Sequence, residues 1–121
     1  MKNIAADVEI ETGNATIAMK VDFTEEKEIE NLVNKAVDKF GKISAVVNNV
    51  DWGANTPLFG SDSEKRINGY KLNTLSDYNS TKYCMPYLKK EQNASVVFSG
   101  SAVGKHHRQN LLNTVLQKPD F

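Results

Sequence analysis

Two adjacent amides, Asn48 and Asn49, close a short apolar run, Ile43-Ser-Ala-Val-Val47. A run this short and rich in β-branched residues reads as a strand buried on both faces of a sheet. In open α/β sheets, ligands bind beyond the carboxyl ends of the strands. The amides therefore sit where a ligand is expected. Asp22 holds the same position after Ala15–Val21, and Ser101 holds it after Ser95-Val-Val-Phe-Ser99 and Gly100. His106-His107-Arg108 has the types for a metal or phosphate site. Adjacent histidines point in different directions on most backbones, and no third ligand is suitably spaced, so this reads as an exposed polar loop with no metal.

The elements that must position these groups alternate. Ile4, Ala5, Val8 and Ile10 suit a short helix over residues 2–11, stopped by Gly13 and Asn14. Ile17, Ala18, Met19 and Val21 support a strand over 15–21. Thr24 is the expected N-cap of the next helix, with Glu25, Glu26 and Glu28 near its positive end. Ile29, Leu32, Val33, Ala36, Val37 and Phe40 recur at three- and four-residue steps, the clearest helical stripe in the chain. Gly41 ends it, and the strand 43–47 follows.

Residues 50–62 form a loop, in which Trp52 and Phe59, with Tyr70 beyond it, have the types to line a substrate mouth or to cover a core edge. Ser63 or Asp62 can cap a helix to about Leu72. A second helix runs from about Thr74 to Lys90, bent or loosened by Pro86 and with Cys84 packed inside it. The strand 95–99 comes next. Leu111, Leu112, Val115 and Leu116 suit one face of a short helix before Pro119. Strands alternating with helices predict an α/β fold with parallel pairing, against a competing all-helical bundle.

Size and composition narrow the possibilities. The 121 residues suit one domain, 1–121. Apolar residues are 40% of the chain, and 15 basic residues cancel 15 acidic ones, which argues against nucleic acid or an anionic membrane surface as partner. No apolar run approaches the roughly 20 residues that span a bilayer. A single cysteine excludes an internal disulfide framework and fits a reducing cytoplasm.

Several stretches, in order, resemble the central part of the short-chain dehydrogenase/reductase family. Val21-Asp22 resembles the strand-end Asp that contacts the cofactor's adenine. Phe40-Gly-Lys-Ile-Ser-Ala-Val-Val-Asn-Asn49 resembles the approach to the family's Asn-Asn-Ala-Gly motif. Leu72-Asn73, Met85-Pro-Tyr-Leu88 and Val96-Val-Phe-Ser-Gly-Ser101 resemble the helix Asn, the end of the long helix and the strand leading to the active-site Ser. The resemblance covers Ile4 to about Lys118 and about half of a family member. It implies a Rossmann-like parallel sheet with flanking helices, lacking the N-terminal glycine-rich unit and the C-terminal part.

It also implies an NAD or NADP cofactor and hydride transfer between that cofactor and a secondary alcohol or ketone. Asp22, Asn48 and Lys118 are the implied cofactor contacts. Asn73, Ser101 and Lys118 are the implied catalytic residues, with Asn73 holding a relay water and Ser101 polarising the substrate oxygen. The helices near 63–90 are the implied surface for a homo-oligomer. The loop from Asp51 to Asp62 resembles that of bacterial hydroxysteroid dehydrogenases, and no substrate is assigned from it.

Departures from the family bear on activity. The family's base is a Tyr four residues before the Lys, and that register holds Thr114. A Thr hydroxyl is too weak an acid to replace a phenol, and losing a general base costs roughly 10²- to 10⁴-fold. No Gly-x-Gly-x-x-Gly occurs. Val50-Asp51 replaces the family's small residues, adding bulk and negative charge where an anionic cofactor would lie. The expectation is a chain inactive or nearly so by itself. The competing readings are a non-catalytic dimerisation module and a truncated remnant.

Overall fold

The computed structural model of the chain describes residues 4–53 and 62–101. Its elements are α1 (Ile4–Thr12), α2 (Glu26–Phe40), β1 (Ala45–Asn48), α3 (Ser63–Tyr70), a π-helical turn (Lys71–Leu75), α4 (Ser76–Leu88) and β2 (Ser95–Phe98). β1 and β2 pair in parallel, Ala45 opposite Ser95 through Asn48 opposite Phe98. The α/β reading and the parallel pairing therefore hold.

Helix α2 forms where its stripe places it. Ile29 is fully buried and Val33 is buried beside Cys84 and Leu88 of α4. Ile43, Val46 and Val96 close this core from the sheet side, and Tyr83 and Tyr87 from α4. Full burial of an Ile or Leu side chain contributes about 1.5–3 kcal/mol, so these few residues anchor α2 and α4 to the sheet. Gly41 ends α2 at φ 77°, and its N–H donates to Val37 O at 2.7 Å. That left-handed conformation suits Gly because it lacks a Cβ. Gly13 ends α1 likewise at φ 71°. Glu26 fastens α2 to α4 from outside, its Oε1 accepting from Lys82 Nζ and Tyr83 Oη, each at 2.8 Å.

Local expectations change in several places. Residues 15–21 form no strand, because a strand needs a ladder partner and none among the described residues pairs with them. Side chains take the backbone groups instead: Thr16 N–H donates to Glu9 Oε1 at 2.5 Å, and Lys39 Nζ donates to Thr16 O at 2.9 Å. The two strands are not buried on both faces. Val47 is 68% and Val97 50% exposed, because α4 packs on the opposite face, where Val46 and Val96 meet the core.

Thr24 is not the N-cap of α2. Glu25 holds that position without a side-chain cap, because the Thr24 hydroxyl is committed to Asp22. Asp62 does cap α3, accepting from Glu64 N–H at 2.9 Å. The expected junction between two helices near Asn73 is no break. The π turn joins α3 to α4 as one rod, with Pro86 inside the last turn of α4. Phe59, the apolar face at 111–116 and His106-His107-Arg108 lie outside the described residues.

Candidate functional site

The carboxyl ends of β1 and β2 meet the rod formed by α3, the π turn and α4. Asn48 ends β1 and is 5% exposed. Its backbone O accepts from Ser99 N–H at 2.9 Å, extending the ladder past β2. Its side-chain Nδ2 donates to Thr81 Oγ1 of α4 at 3.1 Å. No described residue bonds its Oδ1.

Asn73 sits inside the π turn and is equally buried. Its Oδ1 accepts from Trp52 N–H and its Nδ2 donates to Trp52 O, both at 2.8 Å. The amide thus treats Trp52 as a strand would, satisfying donor and acceptor together. Its side chain is thus engaged with backbone. Below it, Ser76 Oγ donates to Leu72 O, and Ser80 Oγ donates to Ser76 O at 2.8 Å. Both hydroxyls thus bond back one turn along the helix, which satisfies them without a partner from another element.

Between the rod and the end of β2 lies a cavity of about 520 Å³, walled by Asn73, Thr81, Met85, Phe98, Ser99 and Gly100. Its size suits a drug-sized molecule. Asn73 and Thr81 stand on one wall. Ser99 and Gly100, which lead directly to the half-buried Ser101, stand on the other. Asn48 reaches the same place through Thr81. Asn73 and the Ser99-Gly100 stretch thus share one cavity, and Asn48 is linked to it through Thr81.

Asp22 is placed differently. It is exposed, and its Oδ1 accepts from Thr24 N–H at 2.9 Å and Thr24 Oγ1 at 2.7 Å. Its own N–H donates to Glu28 Oε2. The Thr24 hydroxyl and amide hold its carboxyl below the usual range. These bonds organise the entry to α2. Thr114 and Lys118 lie outside the described residues. Cys84 is packed in the core, and burial pushes its thiol up. No group of three or more His, Cys, Asp or Glu among the described residues could hold a metal. No helix among them is long and apolar enough to cross a membrane.

Sequence reasoning missed Thr81, and it read Trp52 by its side chain when its backbone is what the site uses. A signal for Thr81 exists. Asn73, Asp77 and Thr81 recur every four residues, a polar row on the rod.

The sequence pattern described as short chain dehydrogenase matches residues 1–113. Hydroxysteroid dehydrogenase-like protein 2 of Bos taurus is 34% identical over 85 residues, 70% of this chain and 20% of the relative. The crystal structure of Cj0485 dehydrogenase superposes with a TM-score of 0.85 at 27% identity, over 98% of this chain and 45% of that one. The structure of 7α-hydroxysteroid dehydrogenase complexed with NADH and 7-oxo glycochenodeoxycholic acid shares the fold, with a TM-score of 0.84 at 24% identity over 93% of this chain and 45% of that one. The chain spans about a fifth of the curated relative and under half of either solved structure. With its parallel strands, its amides at their carboxyl ends and this match over most of its length, the chain belongs to the short-chain dehydrogenase family.

Proposed function

We propose that this chain carries the middle of an NAD(P)-dependent oxidoreductase, the part that faces cofactor and substrate. The reaction is reversible hydride transfer between the nicotinamide and a secondary alcohol or ketone. The observation that carries this reading is one cavity at the strand ends walled by Asn73, Thr81, Ser99 and Gly100, with Asn48 bonded to Thr81 and Ser101 next in the chain after Gly100. The name of the Bos taurus relative makes a steroid alcohol the first substrate to try.

The cofactor fits these residues in part. Asn48 offers a buried carbonyl oxygen that no described residue bonds, suited to a hydroxyl or amide donor. Asp22 and Lys118 are the further contacts proposed, with Lys118 holding the ribose. When bound, the cofactor supplies the hydride acceptor or donor. Asn73 holds the loop at Trp52 in place, and Ser101 polarises the substrate oxygen. The proton of the alcohol needs a base, and Thr114 is a poor one. Asp51 disfavours an anionic cofactor nearby. The 121 residues by themselves are therefore proposed to turn over slowly or not at all. Buried, protonated Cys84 is compatible with the reducing cytoplasm proposed as its location.

The test is an amide ¹H–¹⁵N spectrum of the chain with and without excess NADH, followed by an assay with alcohols and ketones. Shifts at Asn48 and Ser101 with little turnover support the reading. Dispersed peaks that NADH leaves in place overturn the cofactor part, and robust turnover overturns the inactivity.

A second reading has its own observation. Ile67 is 56%, Tyr70 47% and Tyr78 63% exposed along α3 and α4. This apolar row suits a homodimer through the rod. A clean monomer in sedimentation at high concentration would remove it.

A further inference from the structure

The stretch Asn48–Trp52 is gripped at both ends by one rod. Asn73 holds Trp52 through two bonds at 2.8 Å, and Thr81 holds the Asn48 side chain at 3.1 Å. Both gripping residues also wall the cavity beside Phe98 and Ser99. A buried amide with one end bonded and the other without a donor among the described residues is costly unless a further group or molecule completes it. The bonded end is the Nδ2 and the open end is the Oδ1.

We infer that Thr81 is a positioning residue: its hydroxyl orients the buried Asn48 amide so that Oδ1 faces a hydrogen-bond donor of the bound molecule. The donor class is a hydroxyl or an amide N–H, as a nicotinamide nucleotide provides. The inference deepens the cofactor reading and rests on it for the identity of the ligand. It adds a residue on α4, 33 positions from Asn48, that walls the cavity and also holds the Asn48 side chain. It also explains the pairing with Asn73. Clamping both ends leaves the backbone from Asn49 to Asp51 with little freedom, so the amide meets a ligand without a reorganisation cost.

The experiment uses the full ¹⁵N-labelled chain as wild type, Thr81→Val and Thr81→Ser. Val keeps the shape without the hydroxyl, and Ser keeps the hydroxyl. Native-state amide exchange is read at Asn49–Trp52, against global stability from urea unfolding. NADH is then titrated. Thr81→Val is expected to speed exchange there about tenfold beyond the global change, and Thr81→Ser to stay within about threefold of wild type. NADH affinity should fall about tenfold in Val and persist in Ser. Equal behaviour of the two variants, or unchanged exchange in Val, overturns the inference. If NADH shifts nothing in wild type, the cofactor reading fails, while the exchange comparison still decides the positioning. Should Thr81→Val not fold, Thr81→Cys replaces it, being similar in size and a weak acceptor, with the same expected order.

Discussion

The side-chain amide of Asn73 bonds both backbone groups of Trp52, donating to the carbonyl and accepting from the N–H, at 2.8 Å each. A buried side chain on a helical rod thereby does for a loop what a neighbouring strand would do. It uses the π turn to do it. The turn is one of the helical irregularities that tend to occur at functional sites, and here it carries the residue that ties rod to loop.

Replacing Asn73 by Ala removes both bonds and leaves two backbone groups to find water. The expected loss is about 2–3 kcal/mol, read as a lower urea midpoint. Trp52 fluorescence should shift to the red as the loop releases. Asn73→Asp sets a carboxylate oxygen against the Trp52 carbonyl at a buried position, so at neutral pH it should lose at least as much as Ala.

Ile29 on α2 is fully buried, and α2 packs against α4. Ile29→Ala should cost about 2–5 kcal/mol, enough to unfold a marginal chain. Val47→Thr, on a face that is 68% exposed, should stay within about 0.5 kcal/mol. Thermal unfolding of the two variants side by side checks the contrast. Equal losses would mean that the outer face of the sheet is packed.

Glu26 gives a pH dependence with a definite sign. Hydrogen bonds from Lys82 and Tyr83 hold its carboxyl below the ordinary 4.5. Its contribution is therefore complete above pH 4.5 and is lost as pH falls through the lower folded value. Lys82 is raised above 10.5 by its bond to Glu26, so its share is complete below that pH and is lost on further rise. Glu26→Gln should flatten the acid limb of stability measured between pH 6 and pH 3. The pair is exposed, so the effect should be small and should shrink in high salt.

Cys84 should resist alkylation in the folded chain. Its thiol is buried and burial pushes its pKa up, which suppresses the reactive thiolate. Iodoacetamide at neutral pH is expected to label it at least tenfold more slowly than the urea-unfolded chain, with the rate set by local opening. Comparable rates in the two states would show that α4 does not pack as described.

What the chain's own letters determined was local. The three- and four-residue rhythm of α2, the left-handed stop at Gly41 and the Asp62 cap depend on residues a turn apart, and each is visible without the fold. The apolar run ending in Asn48-Asn49, in order with Leu72-Asn73 and the stretch to Ser101, was enough for the family. What only tertiary structure decided depends on residues far apart. Ala15–Val21 has the composition of a strand, but a strand exists only with a partner, and there side chains take the backbone bonds. Val47 and Val97 are as apolar as Val46 and Val96, yet only the latter pair meets the core, because period-two alternation assigns faces without saying which face a helix will cover. Asp22 followed a strand-like run, but the geometry committed its carboxylate to Thr24. The partners of Asn48 and Asn73, Thr81 and Trp52, lie 33 and 21 positions away, and their bonds exist only because the rod crosses the ends of the strands.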